Sequence, residues 1–151
     1  IIMTSLRQKR LLKEVQLIEK NPVEYVTAGP SEKDISKWKA TIVGPEDTPY
    51  QHGVFELDIT FPEKFPYEPP KLLFKTPIYH PNIYKGEICL DILKTNWSPS
   101  LTISKVLLSL CSLLSEPNPK DPLNPPVAKL YLENYDKFKA NAIEATIKYA
   151  T

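Results

Sequence analysis

The sequence predicts an α+β domain: a first helix, a four-stranded antiparallel meander sheet, a cysteine-bearing segment, a central helix and two C-terminal helices. Trp38, Ala40 and Ile42 alternate with Lys39 and Thr41, and Phe55, Leu57, Ile59 and Phe61 alternate with Glu56, Asp58 and Thr60. That two-residue period belongs to strands with one buried face. At both ends of the chain, apolar residues recur instead at helical spacing. The 151 residues suffice for one core without disulfides or metals, so a single domain over 1–151 is expected.

The elements follow in order. Ser5 and Gln8 stand at capping-box spacing, and Leu11, Val15 and Ile18 then share one face of a helix that Asn21-Pro22 stops near Lys20. Its other face carries Arg7, Lys9, Arg10 and Lys13, which fits either a solvated surface or a dock for an acidic partner. Residues 23–28 and 71–74 read as strands flanking the two alternating runs, and the turn between those runs covers 44–53. From 62 to 81 prolines are dense, and no period is sustained up to Pro99; so long an irregular stretch is usually functional. Residues 101–114 are apolar nearly all round, as in a buried central helix. Asn124-Pro125 reads as an N-cap and first-turn proline for a short helix to Leu132. Phe138, Ala142, Ala145 and Tyr149 give the last helix its buried stripe.

Nineteen basic against 18 acidic residues leave a formal charge of +1, so there is no overall field to hold nucleic acid or anionic lipid. Proteins are the expected partners. No apolar run reaches the roughly 20 residues of a membrane helix and no secretory signal pattern opens the chain. A soluble protein of the cytoplasm and nucleus is expected, a monomer by default. Ile1 and Ile2 precede Met3 and read as residues left by an expression vector. The two cysteines, Cys89 and Cys111, have neither disulfide-framework nor zinc-site spacing. Free thiols imply a reducing compartment. Cys111, inside the central helix, reads as core packing. Gly29, Gly44, Gly53 and Gly86 open no phosphate-binding loop.

The segment His80-Pro81-Asn82-Ile83-Tyr84-Lys85-Gly86-Glu87-Ile88-Cys89-Leu90-Asp91 resembles the active-site signature of ubiquitin-conjugating enzymes. The likeness continues through Phe65-Pro66-Tyr67-Glu68-Pro69-Pro70, Trp97-Ser98-Pro99, and Pro117 to Leu123, in the family's order. The resemblance implies that Cys89 takes ubiquitin as a thioester from the activating enzyme and yields it to a lysine of a protein substrate, usually with a ubiquitin ligase attached. Thiol exchange between similar thiols is nearly isoenergetic, so the acyl group keeps its transfer potential. No bound cofactor is implied, because ATP is used by the activating enzyme. Relatives commonly have one more residue before the cysteine, which leaves the placement of Tyr84, Lys85 and Gly86 open.

The resemblance also assigns roles. Asn82 either donates to the oxyanion of the tetrahedral intermediate or orders the active-site loop; as an Asn after proline it is also an ordinary turn residue. Asp121 is implied to position the incoming lysine, with His80 and Asp91 as support. Glu87 and Asp91 would disfavour the thiolate if close to it, and Lys85 and Lys94 would favour it. His80 with Asn82 also admits a Cys-His hydrolase reading. Ligases are implied to contact Lys9, Arg10, Tyr67, Ser98 and Pro99; carried ubiquitin to contact Leu108, Ser112 and Asn118; and a second ubiquitin the sheet face at Thr27. A cis peptide is implied at Phe65-Pro66. The alternatives are conjugation of another ubiquitin-like modifier, against which the insertions of SUMO-conjugating relatives are missing, and a noncatalytic ubiquitin-binding variant, against which Cys89 is retained.

Overall fold

The computed structural model describes residues 5–151, so Ile1 and Ile2 lie outside the described residues. Helix α1 spans Leu6–Lys20. Its capping box forms as the spacing predicts: Ser5 Oγ accepts from Gln8 N at 3.1 Å, and Gln8 Oε1 accepts from Ser5 N at 3.2 Å. Strands β1 (Val26–Pro30), β2 (Lys37–Val43), β3 (Val54–Thr60) and β4 (Lys71–Phe74) form one antiparallel sheet in chain order.

The register explains the alternation. Trp38 faces Ile59, Ala40 faces Leu57 and Ile42 faces Phe55, all buried; Lys39 faces Asp58 and Thr41 faces Glu56 on the outer side. Thr27, opposite Thr41 on β1, is exposed there. The first strand begins at Val26 rather than Val23, because Tyr25 takes a φ of 67° and Val26 N closes a turn on Val23 O. Between β2 and β3, a Cβ at Gly44 would collide with the Tyr50 carbonyl, so that loop requires a glycine.

Helices α2 (Ile103–Ser115), α3 (Pro125–Glu133) and α4 (Tyr135–Tyr149) follow. In α2 Ile103, Val106, Leu107, Leu110, Leu113 and Leu114 are buried, but Leu108 stays 51% exposed, so the helix does have an outer side. Asn124 precedes α3 as expected, with Pro125 in the first turn, yet its side chain makes no capping bond. The buried stripe of α4 is Phe138, Ala142 and Thr146, not Ala145 and Tyr149. Thr146 satisfies its hydroxyl on Ala142 O, and the chain then turns so that Ala150 O accepts from Val54 N, leaving Tyr149 exposed.

One buried residue in α1 breaks its apolar pattern. Glu14 is fully buried; its Oε1 accepts from Ile103 N at 2.8 Å and its Oε2 from Arg10 Nε at 2.9 Å. Ile103 N is a helix N-terminal donor with no partner inside α2, so the carboxylate satisfies it where the helix end favours negative charge. Arg10 then donates to Pro99 O at 2.6 Å and Leu101 O at 2.8 Å, and its guanidinium lies 5.3 Å from the Phe65 ring centroid. α1, the loop before α2 and the start of α2 are thereby joined through two side chains. Arg10→Met leaves the Glu14 charge buried without its partner and is expected to destabilise the fold by about 3 kcal/mol, measured as a lower urea midpoint at unchanged slope.

Candidate active site

The cysteine segment is held from several sides. Phe65-Pro66 is cis, as expected, and Trp97 Nε1 donates to Pro66 O at 2.9 Å, tying the proline-rich loop to the stretch before α2. Next comes a small hairpin, β5 (Ile83–Tyr84) and β6 (Glu87–Ile88). Its two turn residues, Lys85 and Gly86, have φ of 51° and 84°; two successive positive values are the signature of a type I′ turn, whose twist matches a hairpin. Gly86 is required twice over, since a Cβ there would also stand 2.6 Å from Phe74 O. Gly86 O accepts from Phe74 N at 2.9 Å, clipping the hairpin to β4. The pairing continues one step beyond, with Cys89 N donating to Asn82 O at 2.9 Å.

His80 is fully buried and uses both ring nitrogens. Nδ1 accepts from Asn82 N at 2.9 Å, so the ring proton sits on Nε2 and donates to Leu113 O at 2.8 Å. Burial lowers its pKa to about 4, so the ring is a neutral link between the segment and α2. It makes no hydrogen bond to Cys89, and the Cys-His hydrolase reading loses its base.

Asn82 is equally buried. Its Nδ2 donates to Asn118 O at 2.8 Å and Asp121 O at 3.0 Å, while its Oδ1 accepts from Asn118 N at 2.8 Å. The whole amide is occupied by backbone of residues 118–121. Leu123 N and Asn124 N both donate to Pro81 O, at 3.0 and 2.9 Å, so two distant loops are laced together along several residues.

Cys89 is half-buried, and its sulfur has two polar neighbours: Lys94 Nζ donates to Sγ at 3.4 Å, and Sγ donates to Asp121 Oδ2 at 3.4 Å. Of the four charged groups that the local sequence offers, only Lys94 reaches it. Asp91 instead opens the 3-10 turn Asp91–Leu93, accepting from Ile92 N at 2.8 Å and Asn96 Nδ2 at 3.2 Å. Lys85 lies over the Tyr84 ring at 5.4 Å. Cys111 is the other free thiol; burial pushes its pKa up to about 11, in keeping with a packing role.

The remaining predicted residues fall on separate surfaces. Tyr67 is 74% exposed and, with Arg10, lines a groove floored by Phe65 and Pro66; Pro99 is brought alongside by the Arg10 bond, and Ser98 Oγ is engaged by Ser100. Lys9 is exposed on α1. Arg10, by contrast, has its guanidinium committed to Glu14, Pro99 and Leu101, so it shapes this surface more than it offers free donors. Leu108 and Ser112 lie on the outer side of α2, and Asn118 carries the backbone groups that Asn82 holds. Glu14 was not legible as a structural residue; its only signal was a carboxylate one turn from Leu11 and Ile18 on the inward face. Among the described residues no cluster of His, Cys, Asp or Glu could hold a metal ion, and no helix is long and apolar enough to cross a membrane.

Fold and site together define an α+β domain, a four-stranded sheet with a small hairpin beside it, whose candidate nucleophile is a hairpin-held cysteine in contact with a lysine and an aspartate. The model of the ubiquitin-conjugating enzyme family matches residues 10–146. Among solved structures, the E2 domain of a Toxoplasma gondii ubiquitin conjugating enzyme is 46% identical, covers 95% of this chain and 99% of its own, and superposes with a TM-score of 0.87. The chain belongs to the ubiquitin-conjugating enzyme family.

The buried His80 gives stability a pH dependence. Its folded pKa of about 4 lies below the unfolded value near 6.5, so the stabilisation is complete above about pH 6.5 and is lost as pH falls towards 4, by about 3 kcal/mol in all. Urea midpoints should fall over that window, and the His80 ring should remain neutral by NMR in the folded protein at about pH 5.5. An imidazolium there would contradict the assignment.

Proposed function

We propose that the chain accepts ubiquitin from its activating enzyme as a thioester on Cys89 and transfers it to a substrate lysine, generally with a ligase bound. The observation that carries the reading is the placement of Cys89 Sγ against Lys94 and Asp121, on loops that Asn82 clamps together. In charging, the Cys89 thiolate attacks the carbonyl carbon of the incoming thioester, and the activating enzyme's thiolate leaves. In discharge, a lysine amine attacks the same carbon, the Cys89 thiolate leaves, and the nitrogen loses a proton.

Asp121 suits the second step. While Cys89 is a free thiol, the S–H donates to Asp121 Oδ2. Acylation removes that proton, which frees the carboxylate to accept from an incoming ammonium and to take its proton as the amide forms. Of the two roles open to Asn82, ordering the loop is the one supported, since every hydrogen-bonding group of its amide already has a backbone partner. His80 holds the Asn82 backbone, and Asp91 holds the turn that carries Lys94.

The proposal extends to surfaces of matching chemistry. Ligases dock on Tyr67, Ser98, Pro99 and Lys9, where an exposed aromatic is a fit anchor. Carried ubiquitin rests on Leu108, Ser112 and Asn118, and a second ubiquitin on the sheet face at Thr27. The enzyme acts as a monomer in the cytoplasm and nucleus and has no cofactor of its own.

Charging with activating enzyme, ATP and ubiquitin, read on nonreducing gels, tests the core of this reading. Cys89→Ala should abolish the reductant-sensitive adduct while Cys111→Ala keeps it, and Cys89→Ser should give a slower-forming, thiol-resistant oxyester; a normal adduct on Cys89→Ala refutes the proposal. Asn82→Ser separates the two roles of that residue. As a loop brace it should lower stability by about 1–3 kcal/mol, with a modest loss of single-turnover discharge to free lysine. A direct oxyanion donor would instead lose about 10²–10³ in discharge with little change in melting.

A further inference from the structure

The geometry points to Lys94 as a catalytic residue of the transfer, whose ammonium stabilises the Cys89 thiolate as it leaves the acyl group. This deepens the thioester reading and rests on it. Lys94 Nζ is 3.4 Å from Sγ, and no other cationic nitrogen among the described residues hydrogen-bonds to the sulfur. Its backbone is set in place, since Lys94 N and Asn96 N both donate to Asp91 O, at 3.0 and 3.1 Å, and the Asp91 carboxylate closes the same turn.

The value of this contact changes along the reaction. A thioester sulfur bears little charge and accepts a hydrogen bond weakly. A departing thiolate bears a full charge, and its contact with an ammonium is charge-assisted. The interaction is therefore stronger in the transition state than in the charged ground state, which is the condition for accelerating the step. The acceptor nitrogen bonds to the carbonyl carbon and the C–S bond breaks. Its electron pair goes to Sγ beside Lys94, and the nitrogen's proton passes to Asp121 and on to solvent. Lys94 and Asp121, each 3.4 Å from the sulfur, thus serve opposite ends of one displacement.

Charging responds differently. There the Cys89 thiolate attacks rather than leaves, so the ammonium contact weakens along the step instead of strengthening. Removing Lys94 should consequently slow discharge far more than charging.

The test is single-turnover discharge of ubiquitin-charged wild type, Lys94→Met and Lys94→Arg, to free lysine and to hydroxylamine. Hydroxylamine is a free base at neutral pH and does not need Asp121 to lose a proton before attack. Lys94→Met should discharge roughly tenfold more slowly to both nucleophiles at low salt, a gap that narrows as salt screens the contact. Charging should change less than about threefold, Lys94→Arg should recover most of the discharge rate, and the melting temperature should not move. Discharge of Lys94→Met within twofold of wild type overturns the inference. So does slowing with lysine alone, which would place the residue on the acceptor side. A reductant-resistant adduct on Lys94 that forms without added acceptor as fast as discharge also overturns it, because the residue would then be an attacking amine. A wild-type chain that forms no thioester defeats the underlying reading as well, and is distinguished by the missing gel adduct.

Discussion

The site depends on the side-chain amide of Asn82. It reaches backbone groups 36 and 39 residues further along the chain and so brings the cysteine segment against the loop bearing Asp121. Such a contact has to overcome the entropy of closing a long loop, and three part-buried hydrogen bonds reinforced by the Pro81 carbonyl do so cooperatively. The neutral His80 fixes the near side of the clamp to α2. The setting of Cys89 thus relies on a polar network that touches the sulfur nowhere itself.

A second polar junction orders the opposite end of α2. Glu14 satisfies the helix's first amide and Arg10 neutralises Glu14, then draws in the carbonyls of Pro99 and Leu101. Shape at the groove by Tyr67 and integrity of the core are therefore coupled through one guanidinium. The ends of α2 are anchored by His80 at Leu113 and Glu14 at Ile103, which keeps the central helix from sliding between the cysteine loop and α1.

The sheet was legible because burial on one face writes a two-residue period, and Trp38, Ala40, Ile42, Phe55, Leu57 and Ile59 keep it without interruption. Where backbone conformation decided, the signal failed: Tyr25 in a left-handed turn shortened β1, and the turn at Ala150 left Tyr149 outside the stripe. Family resemblance named the candidate site residues, but sequence neighbours misled about what surrounds the sulfur. Asp91 stands two residues from Cys89 and turns its carboxylate away, whereas Asp121 arrives from 32 residues off. The partners of Asn82 were not legible in sequence because they are backbone groups, which no residue type announces. Lys85-Gly86 makes the two-residue turn of the hairpin, which leaves Cys89 paired with Asn82.

Burial of Cys111 has a practical side. With its pKa near 11, only about one molecule in 10⁴ carries that thiolate at neutral pH. Electrophilic reagents that need a thiolate are slowed at Cys111, so a dye, a cross-linker or a disulfide partner meets a half-buried, disfavoured thiol there.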